Sequence, residues 1–395
     1  GAVLSYAWRR VDLIAGLGCG AYRFSISWPR ILPHGKGKVN GAGLDFYERL
    51  VDALLSRNIM PYVTLFHWDL PQALEDAGGW TVRDTAHRFA DYAAVVADRL
   101  GDRVRRWITL NEPNAVYVLG YLTGTHAPGC VNNFTLAAKA LHNQLLGHAG
   151  AFRVLREMDP SFEIGFSEAF APGFPYTDTE EDRQAVAIEE GFNFRSTLHP
   201  VIHGGYPPAV ADMFLKYNDD IRKEDFDYIR GTADFIGINN YSRAVVALDP
   251  DSEGGFAWKR PRYEGYQETD IGWEVYPGSL YRCVTILRDD FGNIPVYITE
   301  NGAAWNDSPL GGVVNDIRRI DYMRSYLAAL KQGMDEGCNV KGYFAWSLMD
   351  NFEWSFGYTQ RFGIVYVDYE SQERIVKESG RFYADVCRNN GFIME

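Results

Sequence analysis

Two glutamates stand where an apolar, β-branched run gives way to a turn. Glu112 lies in Thr109-Leu110-Asn111-Glu112-Pro113, and Glu300 in Ile298-Thr299-Glu300-Asn301-Gly302. The residues leading to each read as a strand, and the Pro or Gly that follows reads as its end, so both carboxylates are expected at the C-terminal edge of a strand. Two carboxyl groups held together can cleave a glycosidic bond. One protonates the leaving oxygen, while the other attacks the anomeric carbon or activates water. Either motif alone is better explained as an exposed glutamate beside a turn, so the chemistry rests on what accompanies them.

The elements that must position them alternate along the chain. Strands are predicted over residues 21–28, 61–67, 105–111, 163–166, 234–241, 296–300 and 342–346, and helices over 43–57, 84–99, 136–157, 279–290, 317–336 and 379–389. Alternating strands and helices of these lengths make a parallel sheet wrapped by helices. The absence of any linker, repeat or low-complexity block points to a single catalytic (β/α)8 domain over 1–395. In such a barrel the strands' C-terminal edges assemble the active site. Seven strands are found where a closed barrel needs eight. A helix predicted at 6–16 leads into the first of them, so the absent strand is the one before that helix. The stretch 242–275 reads as a long loop, a length that is usually functional or mobile.

Further segments lie in or after the predicted strands: Tyr22-Arg23-Phe24-Ser25-Ile26-Ser27-Trp28, Phe66-His67-Trp68-Asp69-Leu70-Pro71, Asn239-Asn240-Tyr241, and Trp346-Ser347-Leu348-Met349-Asp350-Asn351-Phe352-Glu353-Trp354. In this order and at these intervals the chain resembles the family 1 glycoside hydrolases, the β-glucosidase family, from about Val11 to the last helix. The resemblance implies a retaining β-glycosidase that removes terminal non-reducing β-D-glycosyl residues through a covalent glycosyl-enzyme. Glu112 corresponds to the acid/base and Glu300 to the nucleophile. Asn111 looks like the residue that bonds the sugar 2-hydroxyl, and Arg23 and Tyr241 resemble the pair that contacts the nucleophile. His67, Trp68, Trp346, Glu353, Trp354 and Phe362 resemble the lining of the non-reducing-end subsite, and Asn239 and Tyr241 join the substrate-binding set. A carboxylate at Glu353 would repel a 6-phosphate, which argues against a phosphosugar hydrolase. The glutamate at 112 sets the chain apart from thioglucosidases that dispense with the protonating acid.

Two features depart from that family's pattern. Its members open with a strand carrying Gln-Ile-Glu-Gly, whose glutamine contacts the sugar, followed by Asp-His-Tyr-His, and this chain has neither. Asn240 stands where the family more often has tyrosine. An incomplete barrel would expose two sheet edges and remove one pocket wall, so a catalytically weak or inactive sugar-binding homologue is the alternative reading.

Composition limits the other possibilities. A net charge of −13 argues against a nucleic-acid partner, and no apolar run is long enough to cross a bilayer. The expected partner is a small-molecule β-glycoside or oligosaccharide. Five cysteines, an odd number with no C-x-x-C pair, read as reduced, buried thiols. No signal peptide is visible, since Arg9, Arg10 and Asp12 interrupt any apolar stretch, which points to the cytoplasm. The sequons at Asn133, Asn240 and Asn306 are of a kind frequent by chance. His199 and His203 have metal-pair spacing, but Pro200 is expected to end their helix, and no metal or other cofactor is implied. Gly16, Gly18 and Gly20 precede a strand and fit a turn, not a dinucleotide loop. Trp107 and Phe24 are expected in the core, with Trp28 ambiguous, and His142 and His148 on a helix in solvated or hydrogen-bonded roles.

Overall fold

The computed structural model describes residues 10–252 and 254–393. Seven strands form one sheet: β1 (Ala21–Ser25), β2 (Met60–Phe66), β3 (Arg106–Asn111), β4 (Glu163–Ala169), β5 (Phe235–Asn239), β6 (Val296–Asn301) and β7 (Val340–Ala345). Every pairing is parallel and the spatial order is the chain order. Strands such as β2, β3 and β5 are buried along nearly their whole length. Helices cover their outer face and the barrel interior covers the other, which is why they read as continuous apolar runs instead of alternating ones. Below the catalytic end the interior is filled by Tyr62, Ile108, Phe235, Tyr297 and Phe344, with the Tyr62 ring 4.9 Å from Phe344 and 5.4 Å from Tyr297.

Among the described residues β1 and β7 do not pair with each other. A cleft of about 490 Å³ separates them, lined by Ala21, Tyr22 and Arg23 on one side and by Phe344, Ala345 and Trp346 on the other. Among the described residues the barrel is seven-stranded and incompletely closed, as expected from the sequence. The predicted helix at 6–16 begins outside the described residues, and its part from 10 to 16 is helical.

Apart from one irregularity between Val340 and Gly342 at the start of β7, the register slips where the site residues sit. Irregularities fall between Ile108 and Asn111 on β3, between Ile238 and Asn239 on β5, and between Tyr343 and Ala345 on β7. An extra or skipped residue re-aims the next side chain, and these slips turn the chain ends toward the barrel mouth.

Several sequence expectations need correction. The first strand stops at Ser25, because Pro29 opens a helical turn at Trp28–Ile31. The supposed loop 242–275 contains strands Ala244–Leu248 and Phe256–Trp258, which join Gly173–Pro175 in a second, three-stranded sheet beside the barrel mouth. The helix Arg195–Ile202 continues through Pro200. Pro200 is the sixth of its eight residues, so the ring removes only the one bond that its N–H would have given to the Ser196 carbonyl. The two histidines are engaged separately, His199 Nδ1 with the Gly205 carbonyl at 2.8 Å and His203 Nε2 with the Asp290 carbonyl at 2.9 Å. Trp28 belongs to the core, stacked on Tyr92 with ring centres 5.1 Å apart. Asn133 caps the long helix Phe134–Met158 by accepting from the Leu136 amide at 3.0 Å. On that helix His142 bonds Tyr206 and Asp225, and His148 bonds Thr109.

Candidate active site

Glu112 directly follows β3. Its φ of 52° is a left-handed conformation that costs a non-glycine residue about 1–3 kcal/mol. The short helix Pro113–Tyr117 begins immediately after it, and its amide donates to the Ser167 carbonyl on β4 at 2.7 Å. The chain is thereby pinned on both sides of the glutamate, so the carboxyl is aimed by the backbone. Trp68 and Trp354 share this backbone class, with φ of 78° and 43°.

Glu300 lies inside β6, 4% exposed. The motif glycine after it has a steric reason: a Cβ on Gly302 would lie 1.8 Å from the Trp346 carbonyl oxygen. Only glycine lets β6 and the end of β7 approach this closely, which brings Trp346 to the Glu300 side of the site.

Arg23 from β1 donates through Nη1 to Glu300 Oε1 at 2.7 Å and through Nη2 to Asn111 Oδ1 at 2.5 Å. The Tyr241 hydroxyl donates to Glu300 Oε2. Asn239 Nδ2 donates to Glu112 Oε1 at 2.7 Å and to Asn111 Oδ1 at 3.0 Å, and its own oxygen accepts from Thr299 at 2.6 Å. Asn111 Nδ2 meets His67 Nε2 at 3.1 Å, and the Trp68 indole donates to the Asn111 carbonyl at 3.0 Å. Tyr241 is held in turn, since the Tyr322 and Tyr326 hydroxyls both donate to its carbonyl.

This network separates the two carboxyls chemically. Glu300 faces a guanidinium and a phenol, both donors to its anionic form. Glu112 receives one neutral amide donor and is 8% exposed. Burial first, and the charge of Glu300 second, push its carboxyl up to about 8, against the smaller pull of Asn239 and Arg23. Glu353 is pushed up to about 7 by burial and then by Glu300. Burial and the nearby Arg23 drive His67 down to about 3, so its ring is neutral at physiological pH.

A cavity of about 560 Å³ opens onto this centre. His67, Trp68, Glu112, Asn239, Tyr241, Glu300, Trp346, Glu353, Trp354 and Phe362 all line it. Arg23 and Asn111 stand behind the lining, reaching it through their bonds to Glu300 and Asn239. The twelve residues singled out from the sequence therefore converge on one place. Trp68 and Trp354 lie with ring centres 4.8 Å apart, and His67 sits 5.9 Å from Trp354 and 6.3 Å from Trp346. Asn240 points away: its amide donates to the Phe170 and Ser242 carbonyls and its oxygen accepts from Ser279, so the residue that differs from the family's tyrosine is a buried brace.

Sequence reasoning missed the opposite wall. His126, whose ring lies 5.0 Å from Trp68, and Trp273, 5.0 Å from Tyr241, both line the cavity, together with Phe170, Arg243, Ile271 and Phe356. These residues sit on loops, where no periodicity marks them.

A family profile described as Glycosyl hydrolase family 1 matches residues 5–392. The chain belongs to glycosyl hydrolase family 1. It is 44% identical to beta-glucosidase A of Thermotoga maritima over 385 residues, covering 96% of this chain and 85% of that protein. Identity to beta-glucosidase A of Acetivibrio thermocellus is 41%, covering 97% and 86%, and to beta-glucosidase 26 of Oryza sativa subsp. japonica 38%, covering 95% and 78%. Its fold superposes on a Thermotoga maritima family 1 glycoside hydrolase complexed with a cyclophellitol analogue transition state mimic, with a TM-score of 0.94 at 44% identity, over 98% of this chain and 86% of that one. A Thermotoga maritima β-glucosidase in complex with deoxynojirimycin gives the same TM-score. The family, the barrel fold and the enzyme class expected from the motifs, a retaining β-glucosidase-type glycoside hydrolase, are those found.

Proposed function

We propose that this chain, acting as one catalytic domain, hydrolyses terminal β-D-glucosyl residues by double displacement, with Glu300 as nucleophile and Glu112 as acid/base. The observation that carries the proposal is the asymmetric pair itself: Glu300 ion-paired with Arg23, beside a sheltered Glu112 whose carboxyl burial and the Glu300 charge push up to about 8. In the first step Glu300 attacks the anomeric carbon while Glu112 gives its proton to the glycosidic oxygen, and the alcohol leaves. The glycosyl ester has no charge at Glu300. The second cause of the raised Glu112 value is then gone, so Glu112 becomes a base and takes a proton from water as that water displaces Glu300. Asn111, held by Arg23 and Asn239 just behind the cavity lining, is the residue we assign to the sugar 2-hydroxyl, where a hydrogen bond strengthens as positive charge develops at the anomeric carbon.

The sugar's apolar face meets Trp346 and Trp354, and its hydroxyls meet His67 and Glu353. The preference for glucosides draws support from the relatives, named beta-glucosidase and 1,4-beta-D-glucan glucohydrolase. No described helix is long and apolar enough to cross a membrane, and five free cysteines suit the cytoplasm.

One rival reading, a sugar-binding protein with little turnover, rests on the cleft that separates β1 from β7 among the described residues, beside Arg23 and Trp346. The test is hydrolysis of a nitrophenyl β-D-glucoside by the chain and by its Glu300→Gly variant, each with and without azide. Wild-type turnover, with the variant rescued by azide to an α-glucosyl azide, supports the proposal. No turnover by either folded protein on several β-glycosides favours the binding protein.

A further inference from the structure

Cys19 and Cys387 meet across the open side of the barrel. Cys19 sits two residues before β1 and lines the cleft between β1 and β7. Cys387 lies on the last helix, Glu378–Asn389. Their sulfurs are 4.0 Å apart although 368 positions separate them in sequence, and neither is fully buried. The remaining cysteines offer no such pair. Cys283 and Cys338 are buried, and burial pushes both thiols up.

We propose that Cys19 and Cys387 are a covalent modification site, a thiol pair that hydroperoxides convert to a disulfide bracing the barrel's open edge. The last helix already touches both sides of that edge. Its Tyr383 hydroxyl donates to the Tyr343 carbonyl on β7 at 3.4 Å, and its Arg388 donates to the Gly16 carbonyl at 3.1 Å. A bond from Cys387 to Cys19 adds a covalent link from this helix to the foot of β1. It thereby ties together two edge strands that, among the described residues, share no ladder of their own.

The surroundings assign the two sulfurs different parts. A hydrogen bond from Cys19, with smaller help from the Tyr383 hydroxyl and the Arg388 charge, draws the Cys387 thiol below its ordinary value against the cost of burial. Cys19 is pushed up by its hydrogen bond to Cys387 and by burial. Cys387 is thus the attacking sulfur: it bonds one peroxide oxygen, the O–O bond breaks, and the other oxygen leaves as water with the thiol proton. Cys19 then attacks the sulfenic sulfur, the S–O bond breaks, and its own proton leaves with that oxygen as a second water. The thiols lose two electrons and the peroxide gains them. The bland alternative, two cysteines packed as small apolar side chains, predicts none of this.

The test uses the whole chain, fully reduced and then given a small excess of hydrogen peroxide. The proposal expects two of the five thiols to disappear, an intact mass lighter by two hydrogens, and a proteolytic fragment joining the Cys19 and Cys387 peptides. It also expects a melting temperature raised by about 5 °C, as a cross-link closing so long a loop implies. Cys19→Ser and Cys387→Ser should each abolish the joined fragment and the thermal shift. Stepwise oxygen addition at Cys387 without the joined fragment overturns the proposal, as does a cross-link through Cys130, or a thermal shift that survives in both serine variants. The fragment map is made on the wild-type chain, so it decides the matter even if a variant fails to fold.

Discussion

Neutralising Glu300 should lower the pH at which Glu112 loses its proton. In the folded chain Glu112 is moved from its ordinary 4.5 to about 8, by burial and then by the charge of Glu300. The difference, 8 minus 4.5, corresponds to roughly 5 kcal/mol in favour of the protonated carboxyl. Glu300→Gln removes the second cause and leaves the first. It also frees Arg23 from its 2.7 Å ion pair, and the Arg23 charge already pulls Glu112 down. Both changes act in one direction, so the Glu112 midpoint should fall by about 1–2 pH units while burial keeps it above the usual carboxylate range. Carbon-13 NMR of chain labelled at the glutamate side-chain carboxyl, with Glu112 assigned through Glu112→Gln, reads both midpoints directly. The wild-type kcat/KM should show its alkaline limb near pH 8, where the acid is lost. The direction for stability follows as well. Glu112 holds its proton more tightly folded than unfolded, so its contribution is full below about pH 4.5 and is lost as pH rises toward 8. A wild-type Glu112 that titrates near 4.5, or a midpoint that Glu300→Gln leaves in place, would refute the electrostatic division of labour between the two carboxyls.

Three further outcomes follow from the same geometry. Glu112→Ala should lower kcat/KM for an alkyl glucoside about 10²–10⁴-fold but barely lower it for a dinitrophenyl glucoside, whose leaving group needs no proton; kcat for that substrate should fall because water has lost its base, and azide, which needs none, should restore it and give a β-glucosyl azide. Gly302→Ala should destabilise the fold by about 3 kcal/mol in urea unfolding, because the new methyl meets the Trp346 carbonyl at 1.8 Å. Glu353→Gln should lower kcat/KM for a glucoside by about 10²-fold, and the loss should shrink for deoxy-glucosides lacking the hydroxyl it bonds.

The sequence made the site legible because its polar residues lie at strand ends in short, ordered motifs. Thr-Leu-Asn-Glu-Pro and Ile-Thr-Glu-Asn-Gly each couple a β-branched run to an abrupt turn, and the structure supplies the reasons: the left-handed φ at Glu112 and the close approach at Gly302. The central strands could be placed because each is an apolar run covered on both faces, and the half-buried β1 and β7 by their aromatic residues. Their ends were less clear: β1 stops at Ser25, three residues before the predicted boundary, because a helical turn begins at Trp28 with Pro29 as its second residue. The second sheet around Ala244–Leu248 escaped because its partner Gly173–Pro175 is three residues long and lies some 70 positions away in sequence. Trp273 and His126 escaped for a related reason, since a loop residue reaches the site through tertiary packing that no local spacing records.

The most direct test of the account is covalent trapping. The chain is incubated with a 2-deoxy-2-fluoro-β-D-glucosyl substrate carrying a good leaving group, and the protein and its proteolytic peptides are weighed. The account predicts one fluoroglucosyl group per chain, attached at Glu300 and absent from Glu300→Gln. A label on Glu112 or Glu353 would contradict it, and so would a folded chain that takes up no label.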